Sequence, residues 1–301
     1  MNIIENYNIK NESTFRIGGE VKQVAFPDSI EELISIINNS DIVLGNCSNI
    51  LFSSEFINKK IIITKNIDKI RVNGNKIHVE CGAKGPVVAG EALKYSLSGF
   101  EFLVGFPGSF GGMICMNASA HNQAISDTFL SASVYDTKNK KIVNLNKEDM
   151  HFEYRKSILS NSSLILLSAI FELKQENSET IDALMKRNIE FRKKHQPSLS
   201  YGNAGSIFKN PQNDSAGRLL DLCGCKGLSE GGAKVYEKHA NFIINYNNAT
   251  SKDVLLLMQN MHSKVKEKYT IDLKPEIKYI GDEETEEYKL WNKLTENIQM
   301  M

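Results

Sequence analysis

The spacing of apolar residues along the chain predicts a series of helices. Ser29 and Glu32 form a capping box, and the apolar residues after them recur at helical spacing, so a helix is expected over residues 29–39. Pro197 ends the longest helical segment, because the residue before a proline is disfavoured in the helical region. By the same criteria, the other helices are predicted at residues 86–98, 179–194 and 215–223, and from Thr250 or Ser251 onward.

Alternation of apolar and polar residues predicts the strands. Ile77, Val79 and Cys81 alternate with two polar residues, as expected of a strand with one buried face. Residues 105–120 follow neither period and are rich in glycine, so they are expected to form neither an ordinary helix nor a strand. Further strands are predicted at residues 42–44, 61–64, 133–135, 164–173, 241–245 and 276–280.

The chain is long enough for two or three packed units. Its 301 residues are about twice a typical single-domain length. The break at Gln196-Pro197 is the main predicted domain boundary. Residues 282–301 contain six acidic and two basic residues, which predicts a surface helix or a frayed tail.

Composition and charge exclude several classes of protein. The 36 basic residues balance the 36 acidic ones, so the chain lacks the positive field expected of a nucleic-acid-binding or polybasic membrane protein. There is no run of about 18 apolar residues for a membrane span, and the first ten residues lack the pattern of an export signal. The five cysteines are scattered without a C-x-x-C pair, which indicates reduced thiols in the cytoplasm and no metal site.

Two glycine-rich loops are candidates for binding phosphate groups. Glycine allows backbone N–H groups to approach an anion closely, so segments 45–49 and 107–112 could hold the two phosphates of a dinucleotide from both sides. Their spacing differs from the G-x-G-x-x-G fingerprint and from the Walker loop, so neither of those binding modes is expected. Taken alone, each loop is equally consistent with a tight turn.

Polar side chains in the second half of the chain are candidates for chemistry. Ser206, Lys209 and Asn210 lie in one strand-like stretch, where alternation places Ser206 and Lys209 on opposite faces. The G-x-S-x-G pattern of a serine hydrolase is absent. Arg155 and Glu276 are further candidates, and an ordinary structural or surface role remains the alternative for Ser206, Arg155 and Glu276.

Nine short motifs occur together along the chain. They are STFRIGG at residues 13–19, GNCSNIL at 45–51, the glycine-rich stretch 105–120, YRKS at 154–157, QP at 196–197, GSIFKNP at 205–211, AGRLL at 216–220, EKHANF at 237–242 and PEI at 275–277. In order and spacing they cover about residues 10–281, and through them the chain resembles the UDP-N-acetylenolpyruvoylglucosamine reductase family. Each motif alone is a modest signal, whereas nine in register are specific.

The resemblance implies an α+β fold: a two-lobed FAD-binding domain of the vanillyl-alcohol-oxidase (PCMH) type and a C-terminal α+β substrate-binding domain. It implies lobe 1 at residues 1–68, lobe 2 at 69–195, the C-terminal domain at 196–280 and an acidic tail at 281–301. The implied cofactors are FAD and NADPH. The residues expected at the FAD are Gly45, Asn46, Cys47, Ser48, Asn49, Pro107, Gly108, Ser109, Gly111, Gly112, Asn117 and Ala118.

The reaction that the resemblance implies is the reduction of an enolpyruvyl group on a UDP-sugar. NADPH gives a hydride to the flavin, the hydride passes to the terminal methylene of the enol ether, and the adjoining carbon is then protonated. Ser206 matches the proton donor, with Lys209 the nearest candidate in sequence to polarise it. Arg155 and Glu276 match the pair that holds the carboxylate and stabilises the intermediate. The residues expected at the substrate are Tyr154, Arg192, Lys209, Asn210 and Arg218.

The expected partner is therefore a small nucleotide-sugar, bound by a cytoplasmic monomer with no nucleic acid and no membrane. The chain is similar to a shorter subtype of the family and departs from its pattern at Asn46-Cys47, before Gly205 and at Ser229-Glu230. Two other functions remain open. An FAD oxidase of the same fold should lack the serine, arginine and glutamate set, and a nucleotide-sugar-binding protein without catalysis should lack flavin.

Overall fold

The computed structural model describes residues 1–198 and 200–295, which form helices and mostly antiparallel strands. The helices are α1 (Ile30–Ile36), α2 (Gly85–Lys94), α3 (Phe110–Cys115), α4 (Ser178–His195), α5 (Ala216–Leu222), α6 (Ser251–Tyr269) and α7 (Glu286–Thr295). The strands are β1 (Asn2–Asn8), β2 (Glu20–Phe26), β3 (Ile42–Leu44), β4 (Ile50–Phe52), β5 (Ile57–Ile63), β6 (Ile70–Asn73), β7 (Lys76–Glu80), β8 (Leu97–Ser98), β9 (Ser119–Ala120), β10 (Gln123–Ala124), β11 (Phe129–Asp136), β12 (Lys141–Asn146), β13 (Leu164–Glu172), β14 (Lys174–Gln175), β15 (Ser229–Glu230), β16 (Ala233–Val235), β17 (Ile243–Asn245) and β18 (Lys278–Ile280).

The chain divides by its internal contacts into two compact units. Unit 1 comprises Met1–Ile4, Gln23–Asn46 and Lys59–Arg192. Unit 2 comprises Glu5–Lys22, Cys47–Asn58 and the chain from Lys193 onward. The N-terminal part of the chain therefore contributes segments to both units. The domain boundaries predicted after residues 68, 195 and 280 remain predictions.

A five-stranded antiparallel sheet organises the core of unit 1. Its strand order is β12-β11-β13-β7-β6, and Ala132 on β11 lies opposite Ala169 on β13. Phe171 on β13 contacts Phe100 and Phe110 edge to face, with ring centroids 5.2 and 5.3 Å apart. Such aromatic contacts stabilise the packing of α3 and of the segment before it against the sheet.

Helix α6 lies at the centre of the core of unit 2. The Oγ1 atom of Thr250 accepts a hydrogen bond from the Asp253 N–H at 3.2 Å, and the Asp253 carboxylate accepts one from the Thr250 N–H at 2.9 Å. This complete capping box begins the helix at the predicted residues. The apolar face of α6, which includes Val254, Met258 and Val265, is buried. It contacts α5, α7 and the three-stranded antiparallel sheet β15-β16-β17.

The five predicted helices are confirmed, although their ends differ by a few residues. Ser29 caps α1 by accepting a hydrogen bond from the Glu32 N–H at 3.2 Å. The Glu32 carboxylate accepts from the Asp28 N–H rather than from that of Ser29. Strand β3 occupies the predicted residues 42–44, and β5, β7, β11, β13, β17 and β18 overlap the other predicted strands.

The prediction for residues 105–120 is wrong in part, because Phe110–Cys115 forms helix α3. Phe110, Met113 and Ile114 recur at helical spacing and are buried in the core of unit 1. Their packing outweighs the low helix propensity of the adjacent Gly111 and Gly112. The glycines therefore do not keep this segment irregular.

The acidic C-terminal segment contains a helix, α7, with one face buried in unit 2. Leu290 and Leu294 belong to this face, and Glu287 is only 3% exposed. The Glu287 carboxylate accepts hydrogen bonds from the hydroxyl groups of Ser53, Ser251 and Tyr279. The rest of the predicted tail, residues 296–301, lies outside the described residues.

The amide of Asn241 fixes the strand-like stretch that contains Ser206. Its Nδ2 donates to the Phe208 carbonyl at 2.8 Å, and its Oδ1 accepts from the Phe208 N–H at 2.9 Å. The Ile207 N–H donates to the Asn241 carbonyl at 2.9 Å. Since Phe208 and Asn241 are both buried, these bonds replace the pairing that a regular sheet would supply.

We predict that Asn241→Ala lowers the free energy of unfolding by about 2–4 kcal/mol, because it deletes two buried hydrogen bonds and leaves the N–H and C=O of Phe208 without partners. Urea unfolding followed by circular dichroism measures the change. Asn247→Ala is the matched control, since the Asn247 side chain is exposed in the same unit, and its stability should stay close to that of the wild type. Equal losses in the two variants would contradict the bridging role of Asn241.

Candidate functional site

The parts of the two glycine-rich loops that belong to unit 1 are in direct contact. The Asn46 N–H donates to Ser109 Oγ at 3.3 Å, and Asn46 Nδ2 donates to the Pro107 carbonyl. Gly45 packs so closely that an added Cβ would lie 1.7 Å from Ser109 Oγ. Glycine is thus required at position 45 by close packing against the second loop.

The backbone of the second loop is hydrogen-bonded to the segment that follows β7. The Phe110 N–H donates to the Ala83 carbonyl at 2.9 Å, and the Gly111 N–H donates to the Cys81 carbonyl at 2.7 Å. Within the described parts of the chain, the N–H groups of Ser109 and Gly112 have no acceptor. Gly112 is exposed, and an added Cβ there would meet nothing closer than Ser109 Oγ at 3.9 Å. Ser109 is buried, so the Gly112 N–H is the one of these two at an exposed position, as an anion-binding loop requires.

The rest of the first loop, Cys47 to Asn49, belongs to unit 2. Cys47 is buried and has a φ of 48°, in the left-handed region that favours glycine. At Asn46-Cys47 the chain departs from the glycine-rich family pattern, so a residue with a side chain adopts this conformation. Asn49 Nδ2 donates to the Glu276 carbonyl at 2.9 Å, and the Lys278 N–H donates to the Asn49 carbonyl at 3.0 Å. The loop is thereby attached to the segment that contains Glu276.

Ser206 and Glu276 lie on neighbouring segments of unit 2. Ser206 forms an antiparallel bridge with Phe242, and the next residue, Ile207, accepts a hydrogen bond from the Glu276 N–H at 2.8 Å. Lys209 continues this pairing, since its N–H donates to the Lys274 carbonyl at 2.8 Å. Ser206 and Glu276 are both partly exposed, in contrast to Ile207, which is fully buried. The backbone pairing thus places Ser206 and Glu276 on adjacent segments.

Asn210 and Arg218 lie at the start of α5. Asn210 Oδ1 accepts from the Ala216 N–H at 3.0 Å, while Arg218 forms a two-pronged ion pair with Asp214. The guanidinium lowers the pKa of Asp214, and the carboxylate raises the pKa of Arg218. Both predicted substrate residues therefore form hydrogen bonds within the chain, and the Arg218 side chain remains largely exposed.

The remaining predicted site residues lie in unit 1. Asn117 follows α3, and buried Ala118 donates its N–H to the Met113 carbonyl at 2.8 Å. Arg155 Nη1 donates to Ser119 Oγ at 2.7 Å. The guanidinium of Arg192 donates to the Gly105 carbonyl, and burial lowers the pKa of Arg192. These arginines therefore frame the glycine-rich stretch 105–120 within unit 1.

Sequence reasoning did not identify Ser119 or Asn241 as part of the surroundings of the site. The proximity of Ser119 to Asn117-Ala118 in the glycine-rich stretch was a local signal for it. Asn241 belongs to the EKHANF motif, but nothing local predicts its contact with the Ser206 segment, because its partner Phe208 lies 33 residues away in the chain. Within residues 1–198 and 200–295, no three His, Cys, Asp or Glu side chains are grouped to hold a metal ion. None of the described helices combines the length and apolar character needed to cross a membrane.

Two family models match the chain. One is described as an FAD binding domain and matches residues 21–146; the other is the C-terminal domain of UDP-N-acetylenolpyruvoylglucosamine reductase and matches residues 196–280. The UDP-N-acetylenolpyruvoylglucosamine reductase of Caldicellulosiruptor bescii is 43% identical, over 94% of this chain and 92% of the relative. The enzyme of the same name from Caldanaerobacter subterraneus subsp. tengcongensis is 40% identical, over 92% of this chain and 93% of the relative.

A solved structure gives the same result for the fold. The crystal structure of UDP-N-acetylenolpyruvylglucosamine reductase from Thermus caldophilus matches with a TM-score of 0.78 and 31% identity, over 92% of this chain and 98% of that one. Together with the family models, this match confirms the predicted α+β fold, with an FAD-binding domain of the PCMH type followed by a C-terminal domain. The resemblance seen in the nine motifs is confirmed as well.

We predict that Gly45→Ala lowers the free energy of unfolding by about 1–3 kcal/mol, because the new Cβ would overlap the buried side chain of Ser109. Urea unfolding measures the change, and Gly90→Ala is the control, since a Cβ at Gly90 meets nothing within 4 Å. In a Ser109→Gly background, which removes the atoms 1.7 and 2.9 Å from the new Cβ, the penalty for Gly45→Ala should largely disappear. An equal penalty in both backgrounds would contradict this packing.

Proposed function

This chain belongs to the UDP-N-acetylenolpyruvoylglucosamine reductase family, and from that premise we propose that it reduces UDP-N-acetylglucosamine enolpyruvate with NADPH to give UDP-N-acetylmuramate. The observation that supports this reaction most directly is the adjacent placement of Ser206 and Glu276, joined through the hydrogen bond from the Glu276 N–H to the Ile207 carbonyl. The proposed setting is cytoplasmic, with the chain acting as a monomer on a free nucleotide-sugar and with neither nucleic acid nor a membrane as partner.

The glycine-rich loops of unit 1 fit the diphosphate of FAD. Gly112 is exposed, its N–H has no acceptor among the described residues, and an added Cβ there would meet no atom closer than 3.9 Å. Backbone N–H groups of this kind bind phosphate oxygens without needing a positive side chain. We assign Gly45, Asn46, Pro107, Gly108, Ser109, Gly111 and Gly112 to this role. The family resemblance adds Cys47, Ser48 and Asn49 to the FAD-binding residues and places Asn117 and Ala118 near the flavin. The bound FAD supplies the route for a hydride from NADPH to the substrate.

The side chains of this protein supply charge and a proton. When the terminal methylene of the enol ether receives the hydride, negative charge develops on the adjoining carbon and its carboxylate and must be stabilised. Arg155 suits this role because a guanidinium offers a bidentate fork to a carboxylate. Ser206 then donates its hydroxyl proton to the adjoining carbon, which completes the reduction of the double bond, and Glu276 holds the substrate beside it. We place Tyr154, Arg192, Lys209, Asn210 and Arg218 around the rest of the nucleotide-sugar.

We predict that Gly112→Ala weakens FAD binding by about tenfold, because the added Cβ would occupy space in front of the backbone that the phosphate approaches. The protein itself should stay folded, or become more stable by about 0.5–1 kcal/mol, since alanine is a better helix residue than glycine. Gly90→Ala in α2 is the matched control and should retain FAD. Equilibrium titration of apoprotein with FAD, followed by flavin fluorescence, measures both affinities, and equal affinities would rule out Gly112 as a contact.

We predict that Ser206→Ala leaves the reduction of the flavin by NADPH unchanged but slows its reoxidation by the enolpyruvyl substrate by at least about 100-fold, the loss expected for a general acid. Anaerobic stopped-flow absorbance separates these two half-reactions. Ser263→Ala on the exposed side of α6 is the control and should match the wild type in both. If Ser206→Ala also reoxidises at the normal rate, another group donates the proton.

A further inference from the structure

Arg155 lies in a tight two-residue turn. The flanking residues Glu153 and Lys156 pair in both directions, with N–H to carbonyl distances of 3.1 and 3.3 Å. Arg155 has a φ of 56°, a left-handed conformation that costs a residue with a side chain about 1–2 kcal/mol. Strain of this kind persists only where the surrounding structure over-determines the conformation.

The turn is anchored to a neighbouring hairpin through Asn117. Asn117 Nδ2 donates to the Glu153 carbonyl at 3.1 Å, and its Oδ1 accepts from the Ser126 N–H at 3.3 Å. The hairpin itself consists of β9 and β10, in which Ala120 lies opposite Gln123. Asn117 thus links the backbone of the turn to both sides of this hairpin.

The guanidinium is held by the same hairpin. Arg155 Nη1 donates to the Oγ atom of Ser119, the first residue of β9, at 2.7 Å. The centroid of the Tyr154 ring lies 4.9 Å from the guanidinium carbon, within range of a cation–π contact. Ser119 accepts from one of the five N–H donors of Arg155, and a guanidinium can present a planar pair of donors to a carboxylate.

We propose that Ser119 is a positioning residue for Arg155: its hydroxyl fixes the direction of the guanidinium before the substrate carboxylate arrives. This inference rests on the proposed function, in which Arg155 binds that carboxylate. An arginine side chain has many rotamers, and ordering it before binding removes that entropic cost from the binding step. Ser119 therefore acts through Arg155 and does not need to contact the substrate.

The test compares Ser119→Ala, Ser119→Thr and the control Ser126→Ala in the holoenzyme with FAD bound. Ser119→Ala should raise the Kd for the enolpyruvyl nucleotide by about tenfold, the value expected for the loss of a hydrogen bond to a charged group. The Kd is measured by flavin difference absorbance on the oxidised enzyme, and KM should rise by a similar factor. Ser119→Thr keeps a hydroxyl and should restore the affinity, while Ser126→Ala removes a nearby hydroxyl and should change nothing.

A double-mutant cycle with Arg155→Ala separates this inference from the proposed function. If Ser119 acts through Arg155, Ser119→Ala has no further effect on Kd in the Arg155→Ala background. A full tenfold effect in that background, or a wild-type Kd for Ser119→Ala, overturns the positioning role while leaving the role of Arg155 intact. A wild-type Kd and reoxidation rate for Arg155→Ala instead overturn the proposed role of Arg155. The rate of flavin reduction by NADPH should be the same in all variants, which shows that each retains its fold and cofactor.

Discussion

The segments that carry the proposed chemistry depend on pairing the N–H and C=O groups of irregular backbone. Regular helices and sheets pair these groups automatically, but residues 153–156 and 206–208 lie outside them. A buried backbone group without a partner costs about 1–3 kcal/mol, so irregular segments need other partners. Asparagine amides supply them here, because one amide can donate and accept at once. Asn241, Asn117 and Asn49 each bind the backbone of a segment that carries a predicted catalytic residue.

This use of asparagine explains why the sequence predicted the elements better than the site. Helix caps such as those of α1 and α6 are local signals, since the cap and its N–H partner lie three residues apart. The helix α3 was missed because its stability comes from tertiary burial rather than from propensity. Short strands such as β15 and β16 have too few residues to show alternation. The pairing of Ile207 with residues 241 and 276 has no local signature at all, so only the family motifs pointed to those residues as one group.

The balanced charge of the chain acquires a more specific meaning in the structure. FAD, NADPH and a UDP-sugar are all anionic, yet the protein has no net positive charge to attract them. In unit 1 the candidate anion-binding groups are the backbone of the second loop, proposed for the FAD diphosphate, and the guanidinium of Arg155, proposed for the substrate carboxylate. These act over a few ångströms, whereas a field of net charge would act on any anion that approached. A balanced chain with local donors therefore favours selection by shape and hydrogen bonding over attraction by charge.

In the C-terminal helix α7, a buried carboxyl group also depends on hydrogen-bond partners from other segments of the chain. Counted from sequence, Glu287 belongs to an acidic segment and would be assigned to solvent. Its burial is tolerable because hydroxyl groups of Ser53, Ser251 and Tyr279 donate hydrogen bonds to its carboxyl oxygens. Removing any one of these donors would leave a buried carboxyl group with fewer hydrogen bonds. An exposed carboxyl group in the same helix would not depend on such donors, because water can replace them. Ser53 follows β4, and Tyr279 lies on β18, the strand that pairs with β4. Through Glu287, helix α7 therefore stabilises this pair of strands. Strand β4 begins directly after Asn49, and β18 begins two residues after Glu276.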